Sequence, residues 1–482
     1  MKIHSKEFAF LRFDTCREVC LRIAWKSSPA VLLFALILMA GCAPQTKIPD
    51  LPAENPPSFS ESGTEVMSDR WWQTFDDEQL NKLVDSALMN NFDLRTSWQR
   101  LMAAEANARR ESASLFPWLD ASAGGQVSRP ESRAMNPQTV SADLTASYEV
   151  DLWGKIRSQA DAAAFRAEAS RRDYKAAAIS LSAEIARAWF RLMETQSQLH
   201  LINSQIETNE KVLSLLEARF GSGQIRSVDI LRQEQLLEST REQKVTLQTE
   251  KKLLENRLAV LTGKPPQKDL VYKYDSLPQL SPMPEAGLPT DLVQRRPDVQ
   301  RAYKELKAAD RDMASAISNQ YPRLSMSASL SSTAANAQDL FDNWLSSFAG
   351  NLFAPLMYAG QRQAEVDRTE AVKKQRLYQY GQTILTAFRE VEDALVQEKK
   401  QKEKIESIRK QLEMARQTYE QLRLEYFNGM SDYLDVLTAL DEEQRLQRDL
   451  LSAKLALMEY RIGLYRALAG GFETGREEVG SK

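Results

Sequence analysis

The longest regular pattern in the chain is a row of apolar residues seven positions apart, separated mainly by polar residues. A narrow apolar stripe with this period predicts a long helix that packs on neighbouring helices as a left-handed supercoil. The row consists of Ile185, Leu192, Leu199, Ile206, Leu213 and Phe220, with a partial second row at Trp189, Ile202 and Leu216.

The same row returns 206 residues later with one polar exception, Glu398. Each copy ends at a glycine break, which contains Gly223 in the first half and Gly429 in the second, and a shorter helical pattern follows each break. The sequence therefore predicts a long-helix unit that is present twice. The second row consists of Val391, Glu398, Ile405, Leu412, Tyr419 and Tyr426.

Two shorter segments alternate apolar and polar residues with the period of a strand. Residues 140–152 alternate without interruption, and residues 324–331 do the same in the second half. Each segment has a predicted partner, 115–128 and 345–357, so each half carries one β-hairpin, at 115–152 and 320–357. Gly154 and Gly360 end the two hairpins, and each precedes a predicted helix of about 65 residues, or about 100 Å.

An apolar face opposite a polar face suits either a soluble sheet or a membrane barrel with a wet interior. The smallest membrane barrels have about eight strands, so four strands cannot close one. Open edges cannot face lipid, so a membrane barrel built from these strands would have to be shared between chains.

The first 41 residues predict a targeting segment. Arg17, Arg22 and Lys26 precede the apolar run 31–40, which is about half the ~20 residues that a membrane-spanning helix needs. The string LMAGC at 38–42 looks like a bacterial lipoprotein cleavage box, which would leave a lipid-modified Cys42 as the first residue. Ala43 follows, and the lipoprotein resemblance implies transfer to the outer membrane. An ordinary secretory signal is the alternative.

The remaining boundaries follow from composition. Residues 42–68 predict a lipidated, Pro-rich extended tether, and residues 271–288 a linker between the first repeat, 69–270, and the second, 289–471. The helical hairpins span 154–262 and 360–469, and residues 472–482 predict a disordered tail. Trp71 and Trp72 open a helical stretch that runs to about residue 110, and we expect both to be core or interface anchors.

Composition changes this picture little. The chain has 43% apolar residues, 27% charged residues and 18 glycines, which suits long solvated helices. Its net charge of −3 becomes −6 without the first 41 residues, which hold six basic and three acidic residues, and this argues against a nucleic-acid partner. We find no Cys/His cluster, nucleophile motif or nucleotide-binding loop, and His200 predicts a solvated helix face. The sequence predicts a non-enzyme with no cofactor and no metal site.

Four strings in order resemble the TolC family of outer-membrane efflux ducts, in particular its lipoprotein branch. The resemblance covers nearly the whole chain after the tether. It implies a mainly α fold with a membrane β-barrel portion: a homotrimer with a twelve-stranded barrel in the outer membrane and a twelve-helix tunnel in the periplasm. The strings are WW with FDD at 71–77, RRPDV at 295–299, YP at 321–322 and LDVL at 434–437.

The gate is expected at the helix tips. Asp432 and Asp435 in three copies would form a ring of six carboxylates that attracts cations, although both residues also suit capping of the returning helix. The resemblance implies that Tyr426 and Asp435 lie at the tunnel entrance and that Asp229 links to Tyr426 in the closed state. Ser431 and Thr438 depart from family positions occupied in some members by Arg and Asp.

The resemblance also implies a passive conduit. An inner-membrane pump of the resistance-nodulation-division or ABC type would supply the energy, and a periplasmic adaptor would contact the tips near Gly223 and Gly429. Alternatives are a duct for type I protein secretion or metal efflux, a non-pore adaptor or scaffold lipoprotein, and a periplasmic enzyme. An adaptor normally has one helical hairpin and no long alternating strands. The sequence does not identify the cargo.

Overall fold

The computed structural model describes residues 56, 58–64, 67–127, 138–266, 277–472 and 474. The predicted signal peptide 1–41 and the predicted lipidation site Cys42 lie outside these residues. The described part is mainly helical with one antiparallel sheet. None of its helices is both long enough and apolar enough to cross a bilayer.

After a 3₁₀ turn at Trp71–Phe75, the chain alternates helical and strand segments in two similar halves. The first half contains α1 (Glu78–Asn90), α2 (Phe92–Ala113), β1 (Trp118–Val127), β2 (Gln138–Val150), α3 (Lys155–Gly221) and α4 (Ser227–Leu261). The second contains α5 (Pro289–Arg295), α6 (Pro297–Ser318), β3 (Arg323–Ala334), β4 (Leu345–Phe353), α7 (Gln361–Phe427) and α8 (Tyr433–Leu468).

The structure divides into two compact units. Apart from residues at the start of the chain, the unit that contains the sheet comprises residues 107–164 and 307–374. The other unit comprises residues 50–106, 165–306 and 375–482. The long helices α3 and α7 each have 67 residues, and their bounds are related by the 206-residue offset of the sequence. The predicted helical stretch from residue 71 to about 110 is divided in three. Asp77 caps the start of α1 after the 3₁₀ turn, and Asn91 separates α1 from α2 and accepts a hydrogen bond from the Leu94 amide at 2.9 Å.

The sheet has the order β1-β2-β3-β4 with every pair antiparallel. Apart from Ala142 opposite Ser332, the register of β2 and β3 matches apolar with apolar residues, as Leu144 lies opposite Leu330, and polar with polar residues, as Ser147 lies opposite Ser327. Because side chains alternate across a strand, this register collects the apolar residues of β2 and β3 on one face. The first hairpin ends at Val150, two residues earlier than predicted, and the next carboxylate, Asp151, accepts from the first amides of α3.

Burial along α3 moves from one apolar row to the other. Ile185 and Leu192 are fully buried, whereas Phe220 at the end of the same row is 47% exposed. Ile202 and Leu216 of the second row are buried. A straight helix drifts by about 20° per seven residues, so a strict seven-residue row turns away from the core and its neighbour replaces it.

Two tryptophans anchor the core of the larger unit. Trp71 and Trp72 are fully buried, and the ring of Trp71 stacks on that of Tyr465 at 5.6 Å. Asp77 accepts a hydrogen bond from the Trp189 indole at 2.6 Å and from the Leu80 amide at 2.9 Å. The WW and FDD strings are therefore packing and capping elements of this core.

The single polar member of the second row, Glu398, forms a buried ion pair. Its carboxylate accepts from the guanidinium of Arg461 at 2.6 and 2.8 Å, and both side chains are fully buried. Burial opposes ionisation of Glu398, but the hydrogen bonds and charges of Arg461 and Lys402 outweigh it and lower its pKa. Glu398 can therefore occupy a position of the apolar row, because the charge of Arg461 on α8 neutralises its carboxylate.

Two predicted extended segments are partly wrong. Phe59, in the predicted tether, is buried and packs edge-on against Phe388 at 6.3 Å. Phe472, in the predicted tail, is buried against Trp72, and Thr474 shares a 2.6 Å hydrogen bond with Tyr174. Aromatic side chains inside polar, Pro- or Gly-containing sequence give these segments a reason to fold onto the helices.

Candidate functional site

The two hairpin tips, residues 219–229 and 425–435, have the same backbone turn. Gly223 has φ +74° and Gly429 has φ +75°, a conformation that favours glycine. A Cβ atom on either glycine would meet nothing within 4 Å, so backbone conformation and not crowding explains the residue type. Two amide-to-carbonyl hydrogen bonds close the end of each long helix. In the first tip, the Gln224 amide donates to the Arg219 carbonyl at 3.0 Å and the Gly223 amide to the Phe220 carbonyl at 2.8 Å. In the second tip, the Met430 amide donates to the Glu425 carbonyl at 2.8 Å and the Gly429 amide to the Tyr426 carbonyl at 3.1 Å.

Asp229 in the first tip is a buried carboxylate with two basic neighbours. Only 4% of the residue is exposed. The backbone amide of Arg226 donates to it at 3.4 Å, and the guanidinium groups of Arg226 and Arg232 lie 3.5 and 3.9 Å away. These contacts neutralise the carboxylate within its own hairpin.

Asp432 and Asp435 in the second tip are exposed. Asp432 occupies the N-cap position of α8, yet its side chain makes no capping hydrogen bond, and only its carbonyl accepts from the Asp435 amide at 3.2 Å. Asp435 lies in the first turn of α8. Within the described residues neither carboxylate forms an ion pair, so both present their charge to solvent.

Tyr426 connects the two tips through its ring. The guanidinium carbon of Arg219, from the first tip, lies 4.8 Å from the Tyr426 ring centre and 5.6 Å from that of Phe427. The Tyr426 hydroxyl is buried and has no hydrogen-bond partner among the described residues. The predicted link from Asp229 to Tyr426 is thus absent from this arrangement. Burial raises the pKa of Tyr426; the Arg219 charge opposes this rise and the Asp229 carboxylate adds to it.

Arg219 is the residue of this site that the sequence did not single out. It lies in the last turn of α3, directly before Phe220, the final member of the apolar row. A basic residue in a last turn is ordinarily explained by the helix dipole. The position of Arg219 next to the predicted tip could have indicated a role there. Its aromatic partners could not be identified, because they lie more than 200 positions away in the sequence.

A buried polar network fixes the tips to the helices behind them. The Tyr433 hydroxyl donates to Gln233 at 2.6 Å, and the Gln233 amide donates to the Asn209 carbonyl at 3.0 Å. The Gln444 amide donates to the Asn209 side chain at 3.0 Å. Burial raises the pKa of Tyr433 and keeps it protonated as a donor. The network joins α3, α4 and α8, because buried polar groups need partners.

Potential metal ligands at the tips and in the rest of the described residues include His, Cys, Asp and Glu side chains. Across the described ranges, no group of three or more His, Cys, Asp or Glu side chains could hold a metal ion. His200 is exposed on α3, with a ring nitrogen 2.9 Å from the Gln196 amide.

Comparison with known proteins extends over both halves. The family model described as outer membrane efflux protein matches residues 83–264 and 288–470. The chain is 30% identical over 475 residues to the pyoverdine export outer membrane protein OpmQ of Pseudomonas aeruginosa, covering 94% of this chain and 98% of that one. It is 28% identical over 461 residues to the cation efflux system protein CusC of Escherichia coli, covering 92% and 100%.

The solved structure of the outer-membrane channel OprN is similar, with a TM-score of 0.83 and 26% identity, covering 89% of this chain and 99% of that one. The family model matches most of the described residues of both halves, including each strand pair and each helical hairpin. The chain therefore belongs to the outer membrane efflux protein family.

Proposed function

We propose that this outer-membrane efflux protein is the exit duct of a tripartite efflux system and that it conducts small molecules passively as a homotrimer. The observation that carries the proposal is the pair of similar halves, each of which joins an antiparallel strand pair to a 67-residue helix. Relatives named for pyoverdine export and cation efflux support the same role.

The open sheet supports assembly from several copies. One face of β2 and β3 is mainly apolar, and among the described strands the outer strands β1 and β4 each have one edge without a partner strand. Unpaired backbone groups are costly in lipid, so the edges must meet those of other copies if the sheet enters a bilayer. Three copies supply twelve strands, which exceeds the roughly eight that the smallest membrane barrels need.

The tips serve as the gate in this proposal. Three copies of the exposed Asp432 and Asp435 place six carboxylates at the periplasmic entrance, while the contact of Arg219 with Tyr426 holds the two tips of each copy together. Asp229 secures the first tip through Arg226 and Arg232. A ring of carboxylates attracts cations and repels anions. The open space around Gly223 and Gly429 supports contact with the helical tips of a periplasmic adaptor.

Energy comes from an inner-membrane pump of the resistance-nodulation-division or ABC type. Lipid attached to Cys42 anchors the mature chain to the outer membrane, and the helices extend into the periplasm. Replacing Cys42 with serine should abolish incorporation of labelled palmitate in growing cells. Continued labelling at wild-type level would contradict the lipid assignment and leave the duct unaffected.

Deletion of the gene followed by susceptibility profiling tests the duct. We expect increased sensitivity to at least one class among drugs, detergents and metal ions, with restoration by the wild-type gene. The metal arm is included because of the similarity to a cation efflux protein. A purified protein that stays monomeric in detergent and forms no channels in planar bilayers would contradict the proposal.

A further inference from the structure

A cleft of about 390 Å³ lies between α3, α4 and α8 in the larger unit, away from the tips. It is lined by four arginines and a single glutamate, so basic side chains dominate its wall. The arginines are Arg187, Arg191, Arg257 and Arg466, and the other lining residues are Glu184, Ser180, Ala188 and Leu254.

Three of the four arginines have carboxylate partners. The ion pair of Arg466 is the weakest of the three, because its partner Glu390 lies closer to Arg296, at 2.8 Å. Arg187 forms no direct ion pair or hydrogen bond with another residue of the described ranges. The pairs are Arg191 with Glu459 at 2.6 Å, Arg257 with Glu184 at 2.8 Å, and Arg466 with Glu390 at 3.7 Å.

Arg187 is therefore a half-buried cation among like charges. Burial is the main cause that lowers its pKa, and the neighbouring charges of Arg466 and Arg191 add to that effect, while Glu459 and Glu184 oppose it. A desolvated charge without a partner is costly to keep in a protein. An anion in the cleft would remove this cost.

We propose that the cleft binds an oxyanion, namely the carboxylate, sulfate or phosphate group of a small solute. A guanidinium presents a planar fork of donors that matches these groups in a bidentate geometry. Arg187 supplies an unused fork, and Arg466, with its distant carboxylate, supplies a second charge beside it. The inference goes beyond the proposed function, because oxyanion binding in the cleft depends neither on channel formation nor on the selectivity of the entrance.

Isothermal titration of the purified full-length protein in a non-ionic detergent tests the cleft. Inorganic sulfate, inorganic phosphate and citrate are titrated separately at low ionic strength, and the three affinities distinguish the sources of the oxyanion. We expect saturable binding of at least one anion that weakens with added sodium chloride. Arg187→Gln should lower that affinity about tenfold, the effect of losing a charge-assisted hydrogen-bonding partner.

Glu184→Gln provides a test in the opposite direction. It releases the guanidinium of Arg257 into the cleft and should raise the affinity about threefold. Arg241→Gln is the matched control, because Arg241 is an exposed arginine of α4 already paired with Glu210 and Glu238. We expect its affinity to equal that of the wild type.

The absence of saturable binding to all three anions would overturn the proposal, as would an unchanged affinity in Arg187→Gln. If Arg187→Gln does not fold, the test rests on Glu184→Gln. A higher oxyanion affinity of that variant supports binding in the cleft, and an unchanged affinity overturns the proposal. Channel conductance of the same preparation separates the two proposals. A conducting protein that binds no oxyanion overturns only the cleft, and an oxyanion-binding protein that forms no channel overturns only the duct.

Discussion

The guanidinium of Arg219 lies over the ring of Tyr426, with 4.8 Å between the guanidinium carbon and the ring centre, and so joins the tips of the two helical hairpins. The family resemblance places an arginine in some members where this chain has Ser431. Here a basic contact to the second tip comes instead from the first hairpin. Arg219 thus provides a link between the tips even though the hydroxyl of Tyr426 makes none in the described structure.

Arg219→Ala should open the gate. Cation–π contacts contribute about 0.5–2 kcal/mol, so removing this one should raise the open fraction of the channel by about 2- to 30-fold. Single-channel recording in planar bilayers measures the effect. Arg423→Ala is the control, because Arg423 contacts the ring of Tyr419 within α7 at 6.0 Å and does not bridge the tips. An equal open fraction in Arg219→Ala and wild type would contradict the assignment.

Tyr426→Phe alone should leave conductance unchanged, because the hydroxyl that it removes has no hydrogen-bond partner in the described structure. Combined with Asp229→Ala it should leak, since the buried carboxylate of Asp229 holds the first tip through Arg226 and Arg232. Bilayer conductance of the two single variants and the double variant checks this. A leak from Tyr426→Phe alone would indicate that its hydroxyl forms a link in the closed trimer.

Asp432→Asn together with Asp435→Asn should reduce selectivity for cations. Both carboxylates are exposed, and in the proposed trimer we expect their charges to give the entrance a preference for cations. Reversal potentials in a potassium chloride gradient should show the cation-to-anion permeability ratio falling about twofold or more. Asp441→Asn, an exposed acid farther along α8, serves as the control. An unchanged ratio would exclude the two tip acids from the selectivity ring.

Glu398→Gln should destabilise the protein by about 3–5 kcal/mol at neutral pH, because Arg461 is left as a buried charge without its partner. The pKa of Glu398 is lowered by folding, so its contribution to stability is present above the unfolded pKa of about 4.5 and is lost as pH falls through the folded value. Wild-type thermal stability in detergent should therefore decline more steeply than that of Glu398→Gln in this acid range.

Glu406→Gln is the control for that experiment. Glu406 pairs with Arg409 at the surface, with both side chains 57% exposed, and exposed pairs contribute at most about 1 kcal/mol. Circular dichroism melts from pH 3 to pH 7 should show little difference from wild type. A similar melting temperature for Glu398→Gln and Glu406→Gln would contradict the stabilising role of the buried pair.

Repetition in the sequence predicted the helices and strands because each depends on local periodicity. The 206-residue offset between the apolar rows reappears in the bounds of α3 and α7. The alternation at 140–152 corresponds to β2 with a two-residue shift at its end. Drift of a straight helix determines which apolar row is buried, and this is visible only once α3 has neighbours.

The chemistry of the tips could not be predicted from the repeat. Asp229 and Asp435 are equivalent at the 206-residue offset, yet the first is buried and the second exposed. The residue three positions earlier is Arg226 in one tip and Asp432 in the other, so one acid has a basic neighbour in its own hairpin and the other has none there. Pairing such as that of Glu398 with Arg461 joins residues 63 positions apart, and no local pattern encodes it.

The order of strands across the sheet also constrains how copies can meet. β1 and β4 lie at opposite edges and run in opposite directions, so in the proposed trimer, whose copies share one orientation, the β4 edge of one molecule continues the antiparallel ladder with the β1 edge of the next. A solitary chain entering lipid would carry two rows of unbonded amides and carbonyls. If the chains share one barrel as proposed, membrane insertion should coincide with assembly, and a co-produced chain with one damaged edge strand should prevent intact chains from inserting.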